Sequence, residues 1–272
     1  MKKLLAITAL SAALFFGQTV AAEEKAAKEV KPSHVEMVLV LDESGSMSDL
    51  TRDTIGGFNS MIEKEKKLDV DAHVTTVLFN DQYKMLYNRR ELKDVRKMTD
   101  KDYTPGGMTA LLDAVGRTIH KMDMVSGIHR KDKGNKVLFV IITDGEENDS
   151  KEYTYADVKK LIKDRQENAG WEFIFLGANI DAAAEAENLG IDRDRAVKYK
   201  NTGSGVRANF KAVAEMSDSL AKSGRVSDEW KSQVEEDTDE NVMVAPADTK
   251  EHTAPSAKPV KKHLVSKVRK AK

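Results

Sequence analysis

Short apolar runs alternate along this sequence with longer segments of helical periodicity. Residues 35–41 and 136–143 are apolar at nearly every position, which is typical of strands buried on both faces. Residues 51–68 instead place apolar side chains three and four positions apart, as an amphipathic helix does. Strands that alternate with helices predict βαβ units, and therefore a mainly parallel sheet with helices on both faces.

The same patterns predict the complete order of elements. The predicted strands are residues 35–41, 72–79, 83–87, 136–143, 171–176 and 196–199. The predicted helices are residues 51–68, 111–125, 155–168, 182–188 and 206–223. We therefore expect one α/β domain over residues 34–223, with a doubly wound, Rossmann-like sheet.

The first 22 residues have the features of a secretory signal peptide. Lys2 and Lys3 precede an apolar run over residues 4–16, and small residues end this segment at Ala22. The apolar run is shorter than the roughly 20 residues of a membrane-spanning helix, so we expect cleavage before Glu23 and no transmembrane segment in the mature chain. The predicted location is the periplasm or the exterior of the cell.

Two further segments lack the composition of a packed core. Residues 23–33 are rich in Ala, Lys and Glu and predict a mobile leader. Residues 224–272 predict a disordered, low-complexity tail, acidic at first, then proline-containing, and basic over residues 260–272. The basic end favours, at most, a weak electrostatic contact with an anionic surface or an acidic partner.

Composition excludes several classes of function. With 44 basic and 45 acidic residues the chain is not the clearly basic protein that nucleic-acid binding requires, and we expect no nucleic-acid partner. A mean hydropathy of -0.51 does not fit a polytopic membrane protein. The absence of cysteine excludes disulfides, thiolate metal sites and a cysteine nucleophile. The function must therefore depend on oxygen ligands, imidazoles or binding surfaces.

Three polar clusters lie at element boundaries where an α/β sheet gathers ligands. They are residues 42–46 after the first strand, 106–109 before a helix, and 143–145 after the central apolar strand. Their small hydroxyl and carboxylate side chains suit Mg2+, Ca2+ or Mn2+. Each cluster alone has another interpretation, because Asp42, Ser46 and Thr109 are also typical helix caps.

Together, the Asp-x-Ser-x-Ser, Gly-Gly-x-Thr and Thr-Asp-Gly sequences resemble the von Willebrand factor type A (VWA) domain and its metal-ion-dependent adhesion site. The resemblance implies that one ion is coordinated by the hydroxyls of Ser44, Ser46 and Thr109. It places Asp42 and Asp144 in or near the coordination shell, often through water. It also implies protein binding through the ion, with an acidic residue of the partner completing the shell, and no catalysis.

Two other functions compete with this interpretation. In a structural or assembly subunit of an envelope complex, the ion would mainly order the surrounding loops. A Mg2+-dependent hydrolase of the haloacid dehalogenase type also has an aspartate after an apolar strand, but it needs a second aspartate two residues later, where this chain has Ser44.

Some polar residues near these clusters permit two interpretations. Residues 146–149 either form a solvated loop or contribute to partner specificity or a second cation. His73 in a predicted strand and His120 on a predicted helix are expected to be structural.

Overall fold

The computed structural model describes residues 34–125 and 135–235. Six strands in these ranges form one sheet, in the spatial order β3-β2-β1-β4-β5-β6. The strands are β1 Val35–Asp42, β2 Ala72–Phe79, β3 Tyr83–Glu91, β4 Lys136–Thr143, β5 Glu172–Gly177 and β6 Ala196–Lys198.

Helices connect the strands and cover both faces of the sheet. They are α1 Thr51–Lys67, α2 Leu111–Asp123, α3 Tyr155–Asp164, α4 Ala182–Leu189, α5 Gly203–Ser223 and α6 Trp230–Glu235. Shorter helical turns occupy Gly45–Leu50, Leu92–Asp94, Arg165–Ala169 and Arg193–Arg195.

Strand β1 lies at the centre of the sheet and pairs in parallel with both β2 and β4. The chain first builds outward from β1 to β2 and β3, then returns to the other side of β1 and continues through β4, β5 and β6. Strand β3 alone among the described strands runs antiparallel to its neighbour. The predicted doubly wound, mainly parallel fold is therefore confirmed.

The central strand contributes to two hydrophobic cores because its side chains alternate between the faces. Met37, Leu39 and Leu41 pack in the core beneath α1 and α5, whereas Val38 and Val40 pack in the core beneath α2 and α3. All eight residues of β1 are buried, which explains its uninterrupted apolar run. Burying each large apolar side chain stabilises the fold by about 1.5–3 kcal/mol.

The packed fold continues beyond the boundary predicted at residue 223. Val226, Trp230 and Val234 are buried in the same core as α1 and α5. A short helix, α6, lies in the acidic segment that was predicted to be disordered, and its apolar side chains make it part of the domain. The predicted tail therefore begins too early, since residues 224–235 belong to the packed structure.

Strand β3 is also longer than predicted. It continues to Glu91 through an irregularity in its pairing with β2, where Arg89 adopts a positive φ of 46°. The backbone N–H of Arg89 donates to Thr75 Oγ1 at 3.1 Å, which holds this distorted segment against β2.

Several predicted segments lie outside the described residues: the signal peptide at 1–22, the leader at 23–33 and the tail beyond residue 235. Within the described part of the chain, no helix combines the length and the apolar character needed to span a bilayer.

Candidate metal centre

The polar clusters after β1 and β4 meet at the carboxyl edge of the sheet, where chain direction across the sheet reverses. Asp42 is the last residue of β1, and Asp144 directly follows β4. Because β1 and β4 are adjacent while their connections lead to opposite sides of the sheet, a crevice opens between them. This topological switch point is the usual ligand site of open α/β sheets.

Asp42 is held rigidly at the bottom of this crevice. Its side chain is buried, with Oδ1 accepting from the backbone N–H of Ser44 at 2.7 Å and Oδ2 accepting from Thr143 Oγ1 at 2.6 Å. Burial raises the pKa of Asp42, the hydrogen bonds from Ser44 and Thr143 offset this only in part, and the negative charge of Asp144 raises the pKa further.

The hydroxyls of Ser44, Ser46 and Thr109, which the sequence motifs predicted as ligands, lie close together above Asp42. Ser44 Oγ lies 3.1 Å from Ser46 Oγ, and Ser46 Oγ donates to Asp144 Oδ1 at 2.5 Å. A Cβ placed on Gly145 would lie 3.5 Å from Thr109 Oγ1 and 3.8 Å from Ser46 Oγ, so both hydroxyls approach the same backbone position. The fold thus brings together all five residues that the sequence singled out.

The alternative interpretation of these residues as helix caps is wrong. Ser44 precedes the Gly45–Leu50 turn, but its side chain makes no capping bond there. The residue before α1 is Leu50 and the residue before α2 is Ala110, so neither Ser46 nor Thr109 occupies a cap position. Their hydroxyls therefore remain available to a ligand.

The loop that carries Thr109 is fastened to the loop after β1. The backbone N–H of Gly45 donates to Gly107 O at 3.2 Å, and that of Gly106 donates to Glu43 O at 2.9 Å. Gly107 has a φ of +77°, and a Cβ there would collide with the Asp81 carboxylate. Only glycine fits this conformation and this close approach without strain.

Glu43 lies between Asp42 and Ser44 in the chain, but its side chain contributes to the scaffold of the site. Its buried carboxylate accepts from the backbone N–H of Thr104 at 2.5 Å and from Lys84 Nζ at 3.3 Å. Sequence reasoning did not assign this role, because Lys84 and Thr104 are distant in the chain and meet Glu43 only in the fold.

The acidic loop after Asp144 is mainly structural. Glu147 Oε2 accepts from the backbone N–H of Leu112 at the start of α2, and its Oε1 accepts from those of Asp149 and Ser150. Asn148 Oδ1 accepts from the backbone N–H of Thr109 at 2.8 Å. These bonds position Thr109 and use the Glu147 carboxylate, which argues against Glu147 as a ligand of a second cation.

Further polar residues surround the two aspartates and were not found from the sequence. Tyr103 donates its hydroxyl to Asp42 O at 2.6 Å. Asn201 Nδ2 lies 3.4 Å from Asp144 Oδ2, and Asn179 Nδ2 lies 3.3 Å from Asp144 O. Since these residues come from three separate loops, no local sequence pattern links them to the site.

The fold and the polar crevice between β1 and β4 are those of a von Willebrand factor type A domain. Residues 34–190 match the vWA-TerF-like family, described as the vWA found in the TerF C terminus. Because the match covers more than half of the chain, the chain belongs to this family, and the resemblance to VWA domains is confirmed. No match was found among curated protein sequences.

Solved structures of low sequence identity share the fold. The pilus adhesin SpaC from Lactobacillus rhamnosus GG, in its open conformation, is 13% identical with a TM-score of 0.56, over 71% of this chain and 31% of SpaC. The vWF domain of the type V pili tip protein Mfa5 from Porphyromonas gingivalis is 12% identical with a TM-score of 0.50, over 72% of this chain and 99% of that domain. This chain thus corresponds to about a third of SpaC.

Proposed function

We propose that this VWA domain binds a protein partner through one divalent cation held by Asp42, Ser44, Ser46, Thr109 and Asp144. One observation carries the proposal. Asp42 and Asp144 are both buried, and in the described residues neither carboxylate forms an ion pair with a lysine, arginine or histidine. Buried charges are normally paired or bound to a metal ion, so a cation at this position would supply the missing partner.

The donor atoms favour a hard cation. Hydroxyl and carboxylate oxygens suit Mg2+, Ca2+ or Mn2+, and we propose one such ion. Ser44, Ser46 and Thr109 would coordinate it through neutral oxygens, while Asp42 and Asp144 would balance its charge. The hydrogen bonds that now join Ser44, Ser46 and Asp144 would be exchanged for bonds to the ion.

An ion held in this way favours an acidic ligand from outside the domain. Three neutral hydroxyls leave its positive charge incompletely compensated, and a coordination position remains for a carboxylate of the partner. Ser46 is exposed, and the neighbouring Met108 exposes half of its surface, so a partner can approach the site from solvent.

A binding role fits the site better than catalysis does. Among the described histidines, His34 and His73 lie near the opposite end of β1, and His120 lies on α2, so none is available as a base beside the hydroxyls. Ser44 occupies the position where the haloacid dehalogenase pattern needs its acid. SpaC and Mfa5 are a pilus adhesin and a pilus tip protein, and an adhesive role is in keeping with both.

The assembly-subunit alternative predicts that the ion orders the loops around the site. The loops are already joined by protein hydrogen bonds, including Gly45 to Gly107, Asn80 to Gly106 and Asn148 to Thr109. We therefore propose that the main role of the ion is to bind the partner, and not to order the loops.

We also propose that the domain acts after export to the periplasm or the cell exterior. Mass spectrometry of the exported protein should find Glu23 at its N-terminus.

The proposal is tested by capturing partners from an envelope extract in parallel with Mg2+ and with EDTA. We expect a partner to bind with Mg2+ and to be released by EDTA, while circular dichroism shows an unchanged fold. Asp144→Ala should lose the partner, whereas Asp149→Ala removes a nearby acidic side chain outside the proposed site and should retain it. Partner binding by Asp144→Ala with Mg2+, or by the parent in EDTA, would overturn the proposal. Loss of oligomers or of folding in EDTA would favour the assembly role.

A further inference from the structure

A second cluster of metal-ligating side chains lies near the opposite end of β1. His34 precedes the strand, Glu36 lies two residues further on, and the parallel register places His73 of β2 directly beside Glu36. We propose that His34, Glu36 and His73 form a separate site for a borderline transition-metal ion such as Zn2+. This inference does not depend on the function proposed for the hydroxyl site.

The three ligand atoms are already grouped as a metal ion requires. His34 Nε2 lies 2.8 Å from His73 Nδ1 and 3.3 Å from Glu36 Oε1, and His73 Nδ1 lies 3.2 Å from Glu36 Oε1. Tetrahedral zinc with bonds of about 2.0–2.1 Å needs ligand atoms about 3.3 Å apart, so only small shifts would admit the ion. Two imidazoles and one carboxylate also suit zinc far better than magnesium.

Asp71 supports this arrangement from outside the cluster. Its Oδ1 accepts from His34 Nδ1 at 2.9 Å. When Nε2 gives up its proton to bind a metal ion, the bond to Asp71 keeps the other proton on Nδ1, so the lone pair of Nε2 faces His73 and Glu36. Metal-binding histidines are commonly oriented by such a carboxylate, and loss of the carboxylate typically weakens metal binding about 10–100-fold.

Arg89 competes with a metal ion for the carboxylate of Glu36. Its Nε donates to Glu36 Oε2 at 3.0 Å, while its Nη2 lies 2.5 Å from Glu36 Oε1 and 3.2 Å from His73 Nδ1. Metal binding would require Nη2 to leave Oε1, whereas the bond from Nε to Oε2 can remain. Arg89→Gln, which removes the competing charge, should therefore bind the metal more tightly than the parent.

The cluster is accessible although its carboxylate is buried. The side chain of Glu36 is 1% exposed, while those of His34 and His73 are 18% and 27% exposed. A surface cavity of about 520 Å³, lined by residues that include His34, Asp71 and His73, leads to the two imidazoles. Three protein ligands beside an open cavity leave a fourth position for water or another ligand.

The test uses Co2+ as a probe in the full-length protein, produced without a polyhistidine tag. Excess Mg2+ is present to occupy the hydroxyl site. Tetrahedral Co2+ with nitrogen ligands absorbs visible light much more strongly than octahedral Co2+ with oxygen ligands, so the spectrum reports the site. We expect one equivalent of strongly absorbing Co2+ per chain, displaced by Zn2+.

Variants distinguish this site from the hydroxyl site and from other histidines. His73→Asn and His34→Asn should each abolish the strong absorption, and Asp71→Asn should weaken binding about 10–100-fold. Asp144→Ala and the control His120→Asn should bind as the parent does. Thermal unfolding verifies that each variant is folded. Weak absorption in the parent, or equal binding by the parent and both His34→Asn and His73→Asn, would overturn the proposal.

Discussion

An acidic side chain is buried near each end of β1, but among the described residues only one of the two lies beside cationic side chains. Asp42 at the carboxyl end and Glu36 near the amino end are both 1% exposed. Burial raises the pKa of both, but hydrogen bonds from His34 and Arg89 and the charge of Arg89 reverse the effect at Glu36 and lower its pKa to about 2. At Asp42 no such cation is present among the described residues, and the pKa stays raised.

This contrast shows that burial alone does not indicate what a buried acid does. Glu36 is compensated within the protein, and any metal must compete with Arg89 for it. Among the described residues, Asp42 and Asp144 are compensated only by hydroxyls and amides, so their site favours a cation from solution. The comparison predicts that removing Arg89 destabilises the fold at the Glu36 end of β1. It also predicts that adding a divalent cation stabilises the fold at the Asp42 end.

The largest effect is expected from Arg89→Met. This change leaves the buried charge of Glu36 without its guanidinium, which should destabilise the fold by about 3 kcal/mol, at the lower end of the range for a broken buried pair because Arg89 is 31% exposed. Denaturant unfolding with a chelator present measures the change. The double variant Glu36→Gln/Arg89→Met should recover part of this loss. Equal losses in the single and double variants would contradict the assigned pairing.

At the other end of β1, Mg2+ should stabilise the parent protein. At a concentration about 100-fold above its dissociation constant it would add about 2.7 kcal/mol, which raises the melting temperature by roughly 5–10 °C. Asp144→Ala should show little or no rise, while its melting temperature without metal stays equal or increases because a repulsive buried pair is relieved. Thermal unfolding with and without Mg2+ gives both quantities. Equal Mg2+-induced shifts in the two proteins would exclude Asp144 from the site.

A third buried acid, Glu65 on α1, sharpens the comparison because no cation bonds to it in the described part of the chain, and no ion is predicted beside it. Burial raises its pKa to about 7, and the hydrogen bond from Ser217 Oγ at 2.6 Å offsets only part of this. A raised pKa in the fold means that its contribution to stability is complete below about 4.5 and is lost as the pH rises through 7.

The expected loss across that range is about 3 kcal/mol, because each pKa unit between 4.5 and about 7 corresponds to about 1.4 kcal/mol. Glu65→Gln keeps the shape of the side chain and should abolish this part of the pH dependence. Urea unfolding of both proteins from acidic to mildly alkaline pH measures it. Parallel profiles for the parent and Glu65→Gln would show that Glu65 does not titrate as inferred.

The smallest effect is expected from removing one neutral ligand. Ser44→Ala deletes a single hydroxyl oxygen and should weaken Mg2+ binding about tenfold, or about 1.4 kcal/mol, without changing the fold. Ser60→Ala on the exposed surface of α1 is the matched control and should leave affinity unchanged. Calorimetric titration compares them. Identical affinities in the parent and Ser44→Ala would remove Ser44 from the proposed coordination shell.

Local pattern was sufficient for most of the elements and for proposing the five residues of the metal site. The apolar runs of β1 and β4 identify strands buried on both faces, because only such strands have no solvent-facing positions. The order of three polar clusters at element boundaries then located the candidate site, since parallel strands bring their carboxyl ends to one edge. The end of the domain was missed, because Val226, Trp230 and Val234 are isolated apolar residues in a largely polar segment, and only packing in the fold shows that they are buried.

The sequence by itself determined the fold class, the family and the positions of Asp42, Ser44, Ser46, Thr109 and Asp144, because each depends on periodicity or on short motifs within one segment. Only the tertiary structure decided which charges are compensated. His73 was expected to be structural, yet strand register places it beside Glu36 and His34, and the distorted turn of β3 directs Arg89 to the same carboxylate. Such pairings join residues up to 53 positions apart, and the free energy of a buried charge depends on those neighbours in space.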